Sequence, residues 1–264
     1  MTVQGGVGIA SASFWVSALA KRGGETLSTH ELDLLNRLPV TLRRLRPRQH
    51  WMHVGDQTQK CAYLLAGVIS ESRITAAGTR QIVGLRLARE FVGLSGIFLD
   101  EADRDTQALT DCVMVEVGVA ALRHLLDHGA IRNALIGDAL VGESIAQEWM
   151  INIGRRSARV RVAHLLCELV VRMELADIEA ARSYVVPLKQ HQIADATGLH
   201  RVAVNRALRE LAAENILSIT GGRVTIRDMR QLEEVADFSA RYLHLRHSGH
   251  DRRKERRPFA AQDA

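Results

Sequence analysis

The chain has little of what marks an enzyme, a secreted disulfide protein or a membrane protein. Its 264 residues include three cysteines, Cys61, Cys112 and Cys167. An odd, widely spaced set of thiols, with no CxxC pair and no close Cys/His cluster, excludes a disulfide framework and a structural zinc. It suits a reducing cytoplasm. No cysteine precedes Cys61, which excludes a cluster held by several N-terminal thiolates. No apolar run approaches the ~18–20 residues needed to span a membrane. Val7 to Ala20 is apolar, but no positive charge precedes it, so it is not a signal peptide. Residues 1–27 are expected to be a flexible extension, or to reflect a start codon set too early. A nucleophile elbow, a phosphate loop, an HExxH motif and paired carboxylates are also missing, so no enzyme is predicted. The acidic run Asp100–Asp105 reads as an exposed turn.

What remains is an ordinary mixture of 47% apolar and 25% charged residues, long enough for two modest domains. The charge is unevenly spread. Residues 1–153 hold 15 Lys/Arg against 16 Asp/Glu, and residues 154–264 hold 20 against 14. A net of −1 in the first part and +6 in the second is the footprint of a polyanion bound by the second.

That second part contains Leu188 to Leu211, LKQHQIADATGLHRVAVNRALREL. Apolar residues recur at helical spacing on both sides of Gly198, as in two short amphipathic helices joined by a tight turn, a helix-turn-helix. Ala194 is small enough for a close crossing, and Val204 is placed to plug the second helix into the first. The outer face of the second helix then carries Arg201, Val202, Asn205, Arg206 and Arg209. Arg and Asn read base edges, and Arg also holds phosphates. ILSITGGRVTIRD follows as a hairpin around Gly221-Gly222, which makes the unit a winged helix, and Asp228 is placed to cap a closing helix.

Upstream, Ser28 and Glu31 form a capping box for a helix ending before Pro39. From Val40 to Glu116 the apolar period is two, broken by glycine turns, as in an antiparallel roll. Ile131 to Ile153 reads as a long helix. Leu135, Ala139, Gly142, Ala146, Trp149 and Ile153 repeat at near-heptad spacing, an expected dimer seam, and Gly154 is its expected end and a hinge. The predicted fold is therefore α+β, with a flexible extension over 1–27, a jelly-roll-like β-roll over 28–130, a dimerisation helix over 131–153, a winged helix-turn-helix over 154–237 and a disordered basic tail over 238–264. His244, His247 and His250 recur every three residues in that tail, where solvated histidines are expected rather than a metal site.

This order of parts resembles the Crp/Fnr superfamily of bacterial transcription regulators over about residues 30–237. AYLLAGVI, FVGLSGIF, ALTDCVMVEV, GRRSARVRVAHLLCEL and the whole helix-turn-helix carry the likeness. The resemblance implies a cytoplasmic homodimer that binds a near-palindromic duplex and acts with RNA polymerase. It implies DNA contacts by Lys189, Gln190, His191, His200, Arg201, Val202, Asn205 and Arg206, and the shared outer face adds Arg209. Val202 departs from the family, whose members mostly carry a base-contacting Glu there, so a different preferred site is expected. The resemblance also implies an effector pocket at Gly93, Leu94, Ser95, Gly96, Arg104 and Thr106. The Glu and the Arg-Ser pair that hold cyclic AMP in members that bind it are absent, so cyclic AMP is not expected. Haem on His50, His53 or Cys61 is not expected either, and no cofactor is predicted. The competing class is an effector-binding or protein-interaction module whose helix-turn-helix is only structural, and the charge asymmetry speaks against it.

Overall fold

The computed structural model describes residues 27–175 and 184–245, together with Leu19. Helix α1 (Thr29–Asn36) starts where expected: Ser28 accepts from the Glu31 amide, and Glu31 accepts in return from the Ser28 amide at 2.8 Å. Eight strands follow: β1 (Val40–Leu45), β2 (His50–Met52), β3 (Lys60–Ala66), β4 (Val68–Ile74), β5 (Arg80–Leu87), β6 (Phe91–Val92), β7 (Asp105–Ala108) and β8 (Cys112–Gly118). They form two antiparallel sheets, in the orders β1-β8-β3-β6 and β2-β7-β4-β5.

The period of two in the sequence becomes two separate cores. Along β3, Ala62 and Leu64 pack between the sheets with Leu45, Ile69, Ala108 and Met114. Their neighbours Cys61 and Tyr63 face the other way, onto Leu35, Leu122, Ile131 and Leu135 of the flanking helices. Successive strand residues point to opposite faces, so one strand serves both layers. Leu19, from the expected N-terminal extension, is 2% exposed in that second cluster.

Helix α2 (Val119–His124) leads into α3 (Gly129–Arg155), 27 residues long, and α4 (Ala158–Leu175). Gly154 does not end the long helix as the sequence suggests. The break falls at Arg156, whose ψ of 146° is extended. After β9 (Val185–Val186) come α5 (Gln190–Thr197), α6 (Arg201–Ala213), the hairpin β10 (Leu217–Thr220) and β11 (Arg223–Ile226), and α7 (Met229–Ala236). Asp228 Oδ1 caps α7 by accepting from the Gln231 amide at 2.9 Å. β9, β11 and β10 make a small antiparallel sheet.

The two halves share a core. Val68, Ile82, Leu85, Leu87 and Leu109 of the roll pack with α4, α5 and α6. A charged network lies in the same seam. Arg172 of α4, 5% exposed, donates to Glu168 Oε1 at 2.8 Å, to Glu90 Oε2 at 2.7 Å and to the Leu85 carbonyl at 2.6 Å. Trp149 Nε1 and Tyr242 Oη both donate to Glu168 Oε2, at 2.9 and 3.0 Å. Tyr242 belongs to a segment that its sequence assigns to the disordered tail. Residues 238–245 instead form an ordered turn: Leu243 is 2% exposed, and Phe238 packs on the shared core. Three apolar or aromatic side chains among charged neighbours are enough to anchor it. His247, His250 and the rest of the tail lie outside the described residues.

Candidate nucleic-acid interface

Gly198 has φ +64° and closes α5 in the left-handed conformation, where a Cβ is strained. Thr197 Oγ1 donates to the Ile193 carbonyl at 2.7 Å, and Arg161 of α4 donates to the Thr197 carbonyl at 3.0 Å, so the turn is held from both sides. At the other end of α5 the Lys189 amide donates to Gln192 Oε1 at 2.8 Å. Ala194 and Val204 are buried, and Val204, Leu208 and Leu211 seat α6 on α5 and α4. The amphipathic period of α6 therefore decides which residues face outward.

That outward face is the one the sequence marks. Arg201, Val202, Arg206 and Arg209 are exposed and Asn205 is half-buried; Val202 is 81% exposed. Val202, Asn205, Arg206 and Arg209 line one shallow surface with Glu210 and Ala213. Arg206 Nε lies 3.6 Å from Glu210 Oε1, one turn on. His200 precedes α6 as its N-cap without a side-chain hydrogen bond. Lys189, Gln190, His191 and Arg201 line a second groove of about 670 Å³, together with the wing residues Gly222 and Arg223 and the roll residues Pro47, Thr110 and Asp111. Burial, with the nearby Arg201, Arg80 and Lys189 charges, lowers His191 below its ordinary pKa despite Asp195. A neutral imidazole there both donates and accepts.

The expected effector residues divide. Gly93, Leu94, Ser95 and Arg104 line a cavity of about 440 Å³ between the roll and α3. Gly96 and Thr106 do not: Gly96 packs against Thr58, and Thr106 is buried in the ladder opposite Glu71 and Met52. Gly93, at φ +76°, has room for no side chain, since a Cβ would fall 2.9 Å from the Trp51 ring. The cavity also holds Glu71, Arg86 and Asp138, which no local motif announces. Arg86 donates to both Glu71 oxygens at 3.1 and 3.2 Å, and Glu71 keeps the guanidinium firmly charged. Arg104 forks onto Asp103 at 2.7 and 3.2 Å, and this bonding lowers the Asp103 pKa. Leu94, Ile97, Leu135 and Leu140 supply apolar wall, and Glu143 a further carboxylate.

The residues of the expected seam on α3 divide. Leu135 and Trp149 are 4% and 6% exposed and sit inside the protomer, Leu135 against the roll and Trp149 against α4. Gly142 and Ile153 are half-buried, while Ala139 and Ala146 are exposed. The outward apolar stripe is Ile136, Leu140, Met150 and Ile151, at 44%, 56%, 67% and 50% exposure. The period favours the first set, since Glu143 and Gln147 interrupt the second, yet the roll and α4 bury two of the first set's members, Leu135 and Trp149.

All three thiols are buried, and burial raises each pKa, that of Cys61 to about 12. Among the described residues no group of three His, Cys, Asp or Glu is placed to hold a metal ion, and no helix is long and apolar enough to cross a membrane.

Known proteins match both halves. Residues 160–235 match the family model of the Crp-like helix-turn-helix domain, and residues 42–128 that of the cyclic nucleotide-binding domain. The transcriptional activator protein FnrL of Cereibacter sphaeroides is 28% identical over 191 residues, 70% of this chain and 76% of that protein. The structure of FixK2 from Bradyrhizobium japonicum superposes with a TM-score of 0.68 at 21% identity, over 77% of this chain and all of that one. The CRP-family regulator TTHB099 from Thermus thermophilus gives 0.63 at 19% identity, over 75% of this chain and 97% of that one. The two matched segments lie either side of α3 in the order the fold shows, and on that ground the chain belongs to the Crp/Fnr superfamily of transcription regulators.

Proposed function

We propose that the chain is a homodimeric transcription regulator that places one α6 in each of two major grooves about one helical turn apart. The observation that carries this is the outward face of α6. Four exposed residues, three of them arginines, project from a helix seated by its apolar side and fixed by the Gly198 turn. Arg201 and Arg206 are assigned to base edges, with Asn205 beside them and Arg209 toward phosphate. Val202 has no acceptor for cytosine N4 but suits a thymine methyl. Lys189, Gln190 and His191 at the start of α5, and His200, are assigned to backbone phosphates. The basic charge of the second half supports the same reading.

The dimer is assigned to the stripe Ile136, Leu140, Met150 and Ile151, with Ala139 and Ala146 allowing close approach. The roll is taken over 28–130 and the winged helix from 154, now extended to Leu245. RNA polymerase is the partner implied by the family. The cavity at Gly93 is the effector site, and its charges do not suit a cyclic phosphate. Both guanidiniums in it are already engaged by carboxylates, and Asp138 adds a further buried acid. A phosphate would displace one carboxylate and be repelled by the rest.

Selection of duplexes from a random pool by the purified chain tests the DNA reading. Wild type should recover a two-fold symmetric site, and Arg201→Ala/Arg206→Ala should not enrich it. Equal enrichment by both proteins would overturn the assignment of α6.

A further inference from the structure

We infer that residues 237–245, which follow α7, are a strap that fixes the winged helix to α3 and so sets the spacing between the two α6 helices of the dimer. The inference rests on the homodimer reading above and deepens it, by naming what holds each α6 at a set distance from its partner. The strap lies outside residues 160–235, the part that matches the Crp-like helix-turn-helix domain. It is not a continuation of α7. Asp237 takes φ +46° and its amide closes that helix, and the chain then forms a separate turn over Ala240–Leu243.

The strap returns to the dimerisation helix. Its turn packs on α3, and His244 Nε2 lies 3.3 Å from Ser144 Oγ. Ser144 stands about three turns (~18 Å) before the break at Arg156. On the way the strap seats itself on α4. Phe238 and Tyr242 meet the His164 ring, Tyr242 shares Glu168 Oε2 with Trp149 of α3, and Leu243 is buried. The stripe Ile136, Leu140, Met150 and Ile151 stays exposed with the strap in place, so α3 carries the strap and still offers a face to a second copy.

Two attachments constrain a domain where one leaves it free to turn. Along the backbone the winged helix leaves α3 through Arg156, whose extended conformation is the natural hinge. The Arg156–Glu148 pair and the bond from Asn152 to the Arg161 carbonyl brace that break from nearby. The strap adds an attachment from the C-terminal end of the winged helix, so that α3, α4 and α7 close a loop. Rotation at Arg156 must then break the contacts at Ser144, Glu168 and Leu243 together. In a dimer joined along α3, a tilt of either winged helix changes the distance between the two α6 helices, and with it the half-site spacing that fits. The apolar seam with the roll also holds this domain, so release of the strap should loosen the geometry and not abolish it.

The test uses the full chain. Phe238→Ser/Leu243→Ser releases the strap, and His244→Gly removes the Ser144 contact alone, at a φ of +48° that suits glycine. Both variants keep every Lys and Arg, so the charge offered to DNA is unchanged. On the site recovered by selection, adding or removing one base pair between the half-sites turns one of them by about 35° and shifts it ~3.4 Å. Wild type should lose affinity about ten-fold, the order of one mismatch, Phe238→Ser/Leu243→Ser only ~3-fold, and His244→Gly an amount between the two. A nitroxide on Arg230→Cys of α7, an exposed position in a chain whose three native thiols are buried, reads the distance between the winged helices without DNA. That distance should be single and narrow with the strap intact and broad in Phe238→Ser/Leu243→Ser. Equal spacing penalties and equal distance widths in wild type and both variants overturn the inference. A uniform loss of affinity at every spacing, with the distance still narrow, overturns it too, since such a strap only adds stability. If Phe238→Ser/Leu243→Ser shows no cooperative melting, His244→Gly decides. A dimer with no specific site fails the α6 reading alone and leaves the distances to judge the strap, whereas a monomer fails the dimer reading and this one together.

Discussion

Arg80 of β5 donates from Nε to Asp195 of α5 at 3.0 Å, tying the first helix of the helix-turn-helix to the roll. Its Nη1 also holds Gln107 Oε1 at 2.9 Å, and the adjacent Gln81 donates to the Ala196 carbonyl at 3.4 Å. The pair is 27% and 28% exposed, so water screens it. A double-mutant cycle of Arg80→Ala and Asp195→Ala, read by urea unfolding, should give a coupling of about 0.2–1 kcal/mol. A coupling several times larger would mean that the two domains depend on this contact, not on the apolar seam around Ile82 and Leu85.

The buried network behind that seam should behave in the opposite way. Although burial works against its charge, Glu90 and Glu168 hold Arg172 protonated, and Arg172 in turn keeps the Glu90 pKa low in spite of burial. Burial dominates at Glu168 and raises its pKa. Arg172→Met removes the shared cation and strands two carboxylates in a dry interface. The expected cost is about 3–5 kcal/mol of unfolding free energy. Adding Glu90→Gln and Glu168→Gln to Arg172→Met should restore a large part of it, because the stranded charge causes most of the loss. Chemical denaturation of the three proteins decides it; a loss under about 1 kcal/mol in Arg172→Met would show that water reaches the site.

The parts legible in the sequence are those set by local rules. Ser28 with Glu31 announces a helix start, Gly198 between two apolar periods announces the turn, and the alternation along β3 follows from the pleat. The α6 face was legible because Val204, Leu208 and Leu211 claim the buried side and leave the arginines no other. The face of α3 was not. Leu135 and Ile136 are adjacent and both apolar, and only the roll decides which one is buried. Arg172 and Glu90 are 82 residues apart, so their pairing has no local signature. Phe238 and Tyr242 were lost among charged neighbours, although two aromatics four residues apart are a helical signal. The cavity charges Glu71 and Arg86 meet diagonally across the β4–β5 ladder, where Glu71 is opposite Gly84 and Arg86 opposite Ile69, so neither strand alone implies the pair.

His164 gives a pH prediction. It is 1% exposed, with the Phe238 and Tyr242 rings 5.1 and 5.8 Å away. Its Nε2 lies 3.2 Å from Glu148 Oε1 but off hydrogen-bonding geometry, and Arg156 bonds the same carboxylate. Burial first, and then the Arg156 charge, push its pKa down to about 3. The unfolded chain binds this proton near pH 6.5 and the folded one does not, so stability is full above that pH and falls as pH drops toward 3. The slope from this group is about 1.4 kcal/mol per pH unit. The wild-type stability measured against His164→Gln should therefore decline between pH 6.5 and the acid limit of folding and be constant above pH 7. A flat difference across the whole range would place a protonated imidazole against Glu148.

Val202 tests specificity at a single side chain. It is 81% exposed on α6, so replacing it disturbs no packing. Val202→Glu adds a carboxylate that accepts from cytosine N4, where the native side chain offers only methyl groups to a thymine. The variant should keep the half-site spacing and the positions set by Arg201 and Arg206, and change its preference at one base pair in each half. The swing should be about 1–3 kcal/mol per half-site. Competitive binding of the native site and its single-base variants measures it. Unchanged preference at every position would show that residue 202 stands clear of the bases, and that the distinctive readout lies with Asn205.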